Sequence, residues 1–260
     1  MPTTVRAGTY YVQVRTTDAR NGVTVVRPPS TLTPSTFYAR WQAFYDQYNA
    51  SKDASAALHR YRTSATFVGG AWTTRGHVGA FAIRLNPGRY WFFTADGSDP
   101  LGAQVGHAYR RDPAHVKVVT VVGPAAPAVA VPVVGVARIG SVVAATSTVA
   151  LPSTLPSHGF LLAVGVRGGG LTGGLWAERV RPGITDAELH DGTCLDDGLP
   201  PAKDCFDGPV VTLGGAVSPG ASAWFYYALP PGDYAVGSSD HSQYFDRFFF
   251  QGLVQRVHVS

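Results

Sequence analysis

Short runs of β-branched and aromatic residues, alternating with polar ones, recur along the chain: TYYVQVRT at 9–16, GVTVV at 22–26, GAFAIRL at 79–85, RYWFF at 89–93 and VKVVTVV at 116–122. AWFYYAL at 223–229, DYAVGS at 233–238 and LVQRVHV at 253–259 continue the series. Each run is bounded by Gly, Pro, Asn or Asp, the pattern of a half-buried strand ended by a turn. Asn86-Pro87-Gly88 and Pro230-Pro231-Gly232 place Pro second and Gly third, as a type II turn requires, since only its third position needs positive φ. The stretch 35–61 departs from this rhythm. Its Trp41, Phe44, Tyr45 and Tyr48 fall at helical spacing, and a strand followed by a short helix or an ordered loop is expected there. QYFDRFFFQGL at 243–253 is aromatic on both sides of any strand, because a period of two sends Phe249 opposite to Phe248 and Phe250. Tyr244, Phe245, Phe248, Phe249 and Phe250 are therefore candidate interaction residues, set either against another part of the chain or against a partner.

The pattern also repeats. RPPSTLTPSTF at 27–37 returns as ALPSTLPSHGF at 150–160, and VGGAWTTRGHVGAFAIRLNPGRY at 68–90 returns as LGGAVSPGASAWFYYALPPGDY at 213–234. The spacing of the two matches differs, which an insertion of about twenty residues in the second copy, near its cysteines, would explain. GPAAPAVAVPVVG at 123–135 reads as a stiff linker able to pair as an edge strand. The expected organisation is two domains, 1–125 and 126–260, in an all-β protein of two tandem Greek-key β-sandwiches.

Composition agrees. Of 260 residues 45% are apolar and only 15% charged, with 30 Gly and 19 Pro, a turn-rich β composition. No apolar run reaches the length of a membrane span. The start, MPTTVRAGTYYVQV, lacks a basic and then apolar leader; the expectation is that no signal peptide exists or that an initiating Met has replaced it. Net charge is +4, but residues up to 125 hold 14 Lys and Arg against 6 Asp and Glu, while the remainder holds 7 against 11. No Lys/Arg cluster accompanies the basic half, which reads as scattered surface arginines and not as a nucleic-acid footprint.

With these features in place, the second copy resembles bacterial cupredoxin-like (blue-copper-type) domains. The resemblance rests on Pro152 to Leu155, LWAERVRPG (175–183), LGGAVSPGASAW (213–224), LPPGDYAV (229–236) and GLVQRVHV (252–259). The first copy matches at Pro29 to Leu32, VGGAW, LNPGRYWFF and AHVKVVTV (114–121). Such domains hold copper with an upstream His followed by Cys, His and Met. The resemblance sets Gly173, Ser238, His241 and Leu253 at those places in copy two, with Thr94 at the Cys position, Ala56 near the first His and His115 at the Met position in copy one. A Ser or Thr hydroxyl stays protonated at neutral pH and does not replace the thiolate that a type 1 site needs. The resemblance thus implies a scaffold without type 1 copper, and no cofactor is expected.

Other chemistry is sparse. His59, His107 and His115 are weak candidates for a nitrogen-only metal site, against the reading that they are ordinary surface histidines. Asp186, Glu188, Asp191, Asp196, Asp197, Asp204 and Asp207 gather around the cysteines without the spacing of a calcium loop, and read as a solvated acidic segment. Cys194 and Cys205, in a Gly/Pro-rich loop, form either a loop-closing disulfide, which would place the protein outside a reducing cytosol, or two free thiols. Neither a G-x-S-x-G turn nor a helix-opening glycine loop is present. Two function classes follow. One is a non-catalytic extracytoplasmic protein acting through a protein partner or self-association; the other is a metal-handling protein with a degenerate histidine-only site in the first domain.

Overall fold

The computed structural model describes residues 2–15, 20–50, 55–74, 76–96, 116–125, 127, 130–139, 149, 151–165, 175–190, 205–208, 211–238 and 254–260. The first half contributes β1 (Thr4–Arg6), β2 (Gly8–Val14), β3 (Arg20–Arg27), α1 (Pro34–Asn49), α2 (Ser55–Arg62), β4 (Thr66–Thr74), β5 (Gly79–Leu85), β6 (Gly88–Asp96) and β7 (Val116–Val122). After the proline-rich segment come β8 (Gly135–Ile139), β9 (Thr154–Leu155), β10 (His158–Gly165), β11 (Leu175–Arg179), α3 (Asp186–His190), β12 (Val211–Gly214), β13 (Ser222–Ala228), β14 (Gly232–Ser238) and β15 (Val254–Val259). Every strand expected from the alternation is present, and the protein is predominantly β.

Three five-stranded sheets form, in the orders β1-β7-β6-β3-β4, β12-β11-β14-β15-β9 and β2-β5-β13-β10-β8. The first two have the same order when β1 is matched to β9, β3 to β11, β4 to β12, β6 to β14 and β7 to β15. In each, one short strand joins in parallel at the edge: Val5 faces Val121 and Leu155 faces Val259. The third sheet takes strands from both halves, joined where β5 and β13 run antiparallel with Phe81 opposite Phe225 and Ala82 opposite Trp224. It is the central sheet, and its inner face packs on both lateral sheets. Phe81, Ile83, Leu161 and Phe225 share one core with Val25, Phe92 and Val121 on one side and Leu175, Val236 and Val257 on the other.

The lateral sheets are also covered outside. Because side chains alternate along a strand, Phe92 enters the common core while Trp91 and Phe93 point the other way, under the helices. There Phe37, Trp41 and Phe44 of α1 and Tyr61 of α2 seal them in; the Phe37 ring lies 5.0 to 6.2 Å from those of Tyr61, Trp91, Phe93 and Phe67. The second half does the same with less chain: Leu189 of α3, Cys205 and Phe206 cover Trp176, Ala235 and Val254. The helical spacing of Trp41 and Phe44 thus marks a long helix, with α2 after it, in place of the strand followed by a short helix or an ordered loop expected over 35–61. Thr33 stops the preceding chain by accepting the Thr36 backbone N–H at 3.2 Å, and Pro34 fills the first helical position, where a missing N–H costs nothing.

Structure also corrects the register of the repeat. Residues 29–32 lie between β3 and α1, whereas Thr154–Leu155 is strand β9, the counterpart of β1. The counterpart of 27–37 is 179–189. Thr33 and Thr185 both start a helix, with Phe37 N–H donating to the Thr33 carbonyl and Leu189 N–H to that of Thr185. Leu32 N–H donates to the Pro29 carbonyl, and Ile184 N–H to that of Arg181. The PSTL match misled because Pro, Ser and Thr suit both a strand entrance and a helix cap. With the register corrected, the first copy is the longer between its first helix and its fourth strand, so the expected insertion in the second copy disappears there. The turns at Gly88 and Gly232 do correspond: their φ values are 145° and 151°, and an added Cβ would lie 3.1 Å from the Arg27 or Arg179 guanidinium respectively. Only glycine meets both conditions.

Candidate functional site

Among the described residues, two sheets have both faces covered and the central sheet has one covered face. On its open side the cross-strand register lines up Tyr11, Ala82, Trp224, Leu162 and Val136, one residue from each of the five strands. At ordinary strand spacing this apolar row is about 19 Å long. Tyr11 is 60% exposed and Val136 37%, while Trp224 and Leu162 are half-buried. Phe160 stands beside the row, its ring 5.9 Å from Tyr11 and 5.3 Å from Tyr226, both edge-to-face. These rings shelter Ala82, which is fully buried although it lies on the open side. None of the five strands carries an Asp or Glu. The middle of the face is therefore apolar and aromatic; Thr9, Gln13 and Arg84 share the same side, no acidic residue does, and no described helix or loop covers it as α1 or α3 covers the lateral sheets.

At one end of this face lies a shallow, open depression of about 500 Å³ lined by Ser157, His158, Tyr226, Ala228, Leu229 and Pro230. Ser157 Oγ and His158 Nδ1 are 3.3 Å apart, but they are sequence neighbours, and no carboxylate in the lining orients the ring. That arrangement lacks the third member of a nucleophilic triad. Tyr227, on the covered side, donates its hydroxyl to the Pro156 carbonyl at 2.9 Å, and burial pushes its pKa up to about 12. Tyr234 behaves likewise: its hydroxyl reaches the Pro230 carbonyl at 3.0 Å, and burial raises its pKa against an opposing pull from the Arg179 charge. Both phenols are structural donors held neutral.

The residues proposed from sequence fall in several places. His59 is on α2, exposed, its carbonyl taken by the Thr63 N–H and hydroxyl; His107 and His115 lie outside the described residues. Among the described residues no three His, Cys, Asp or Glu side chains converge on a metal position. Thr94 and Ser238 do occupy matching places, on β6 opposite Val23 and on β14 opposite Leu175. Ala56 is on a helix and not on a strand, which removes it from the loose match to a first ligand. Gly173, His241, Leu253 and the aromatic set Tyr244, Phe245, Phe248, Phe249 and Phe250 lie outside the described residues, as does Cys194. Cys205 is fully buried, and no free cysteine occurs among the described residues. Two of the clustered carboxylates have structural work. Asp186 pairs with Arg256 at 2.5 Å, and Glu188 closes a capping box with Thr185, accepting its N–H at 2.7 Å and returning an N–H to its hydroxyl at 3.3 Å. The open face itself was not singled out from sequence. A signal was available: AWFYYAL is apolar at every position, so both sides of that strand require cover.

No family model and no curated protein matches the sequence. Among solved structures, a multicopper oxidase is similar at 7% identity and a TM-score of 0.26, over 99% of this chain and 76% of that one. A laccase from Pediococcus acidilactici Pa5930 gives 8% identity and 0.27, over 99% and 51%. A copper-containing nitrite reductase (NirK) from Thermus scotoductus SA-01 gives 11% and 0.24, over 99% and 53%. The chain spans about half the length of the last two. A likeness of this degree assigns neither family nor activity. Among the described residues, no helix is long and apolar enough to cross a membrane.

Proposed function

We propose that the protein is a non-catalytic, extracytoplasmic β-sandwich protein of cupredoxin-like ancestry, in two halves meeting near residue 125, which acts by association through the open face of its central sheet. The observation that carries this reading is the row Tyr11–Ala82–Trp224–Leu162–Val136, apolar on all five strands and uncovered by any described element. Water in contact with such a surface is released when a partner covers it, which is the main driving term of protein association. Support for function without type 1 copper comes from Thr94 and Ser238 at the thiolate positions of the resemblance. An extracytoplasmic setting is supported by the buried Cys205, whose only possible partner in the chain is Cys194. Hydroxyl-radical footprinting tests the association. Tyr11, Trp224 and Tyr226 should be modified readily in the dilute purified protein and protected in the native extract. Equal modification in both would overturn the reading.

A further inference from the structure

The central sheet has two outer edges, equivalent in the internal repeat, and a described strand occupies one of them. On β10 the outer edge is taken by β8, which pairs in parallel from Leu161–Gly135 to Gly165–Ile139. On β2 the inner edge pairs with β5 over all seven residues without a bulge, and no described strand lies on its outer edge. Exposed edges are normally blunted by a charge, a proline, a bulge or a covering element, since their free N–H and C=O groups are a template for another chain. The β2 sequence, GTYYVQV, has none of these devices.

We infer that this edge is a self-association site, at which β2 of one molecule pairs antiparallel with β2 of a second copy about a two-fold axis at Tyr11. This rests on the association reading above and names its partner. Three observations select a second copy over another occupant. First, a strand arriving as β8 does would clash. Tyr10 faces Ile83, whereas Gly159 faces Tyr227, the repeat partner of Ile83. Gly159 leaves room for Val134, since a Cβ there would be 2.9 Å from a Val134 methyl; on β2 that room is filled by the Tyr10 ring, whose hydroxyl donates to the Arg6 carbonyl. Second, β2 is self-complementary about its middle residue. Full overlap sets Tyr11 against Tyr11 and Thr9 against Gln13 on the open face, and Tyr10 against Val12 on the covered face. These are an aromatic pair, a hydrogen-bonding pair and an aromatic–β-branched pair, each favourable across strands. Third, the chain already contains a contact of the same symmetry between its two copies: β5 and β13 pair antiparallel with the equivalent residues Phe81 and Phe225 face to face. A two-fold β2 contact would continue the same sheet and the same apolar row into the second molecule, in a closed, isologous arrangement.

Sedimentation of the full chain over a hundredfold range of concentration, at low and high salt, tests this. A dimer is expected, insensitive to salt because β2 has no charge. Tyr11→Lys, at an exposed position, should weaken the dimer at least tenfold, and Gln13→Pro should do so by removing an edge N–H. Val136→Lys on β8 should leave it intact, with far-ultraviolet dichroism unchanged in all three. A monomer throughout, or a dimer that tolerates both β2 variants, overturns the inference, as does monomer binding of a peptide spanning 131–139. Protection of Tyr11 and Trp224 in the native extract, with a monomeric purified protein, would keep the association reading and discard the self-partner; absence of both would discard the two together.

Discussion

Phe81 and Phe225 hold the same position in the two copies and face each other across the strand pair that joins them. Both are fully buried, and with Ile83 and Leu161 they tie the two lateral sheets to one core. A second seam runs alongside: Gly215 N–H donates to the Gly70 carbonyl at 3.2 Å, Ser218 N–H to the Phe67 carbonyl at 2.8 Å, and Val68 bridges Val217. Phe225→Ala should therefore destabilise the whole protein by about 3–5 kcal/mol. Chemical denaturation followed by tryptophan fluorescence should show one transition at lower midpoint. A separate early transition of one half would contradict a shared core.

Gly69 is a point of the second seam with no room for a side chain. Its φ is 121°, and an added Cβ would come 2.7 Å from the Ala223 methyl in the other half. Gly69→Ala combines backbone strain with overpacking, and a loss of about 1–3 kcal/mol is expected. Gly76→Ala, with no atom within 4 Å of its Cβ, serves as the control. An equal loss in the two variants would point to strain alone.

Alkaline pH should weaken the fold. The folded protein holds the Tyr227 proton to a pKa of about 12, where an unfolded chain releases it near the ordinary phenol value of 10.0. The folded state thus binds more protons between those values, so the stability this phenol supplies is complete below pH 10 and declines as pH rises toward 12. Denaturation midpoints measured across that window should fall in the wild type and fall less steeply in Tyr227→Phe. Parallel slopes would show that other groups govern alkaline unfolding.

Cys194 and Cys205 are expected to be joined. Intact mass under oxidising conditions should be two hydrogens below that of the reduced chain, and reduction should cost about 2–3 kcal/mol by the loop-closure argument. Reactivity of both thiols in the folded, unreduced protein would refute the link.

Copper added to the purified protein should produce no intense visible charge-transfer band, because a hydroxyl at Thr94 or Ser238 supplies no thiolate. Optical titration with Cu(II) checks this, and the appearance of such a band would require a cysteine ligand from elsewhere in the chain.

Local sequence determined what local physics decides. Alternation placed eight of the strands, since a period of two is enough to bury one face, and Gly88 and Gly232 marked turns because only glycine holds their φ beside an arginine. The duplication was legible too, though its register was not: Pro152 to Leu155 resembles Pro29 to Leu32 in letters, while the backbone pairs Thr154 with His258 and leaves 29–32 before a helix. Choosing strand or helix for 35–61 needed the lateral sheet, because Phe37, Trp41 and Phe44 become a helix face only when Trp91 and Phe93 lie beneath them. Tertiary structure alone decided which strands of the two copies share a sheet. Any of several apolar strands could have paired with AWFYYAL; the pairing with GAFAIRL goes with a close approach of the halves at Gly69 and Gly215, where a Cβ would meet Ala223 and Gly70 respectively, a matter of three-dimensional clearance that no periodicity encodes. The same choice brought Tyr11, Trp224 and Val136, far apart in the chain, into one row on one open face.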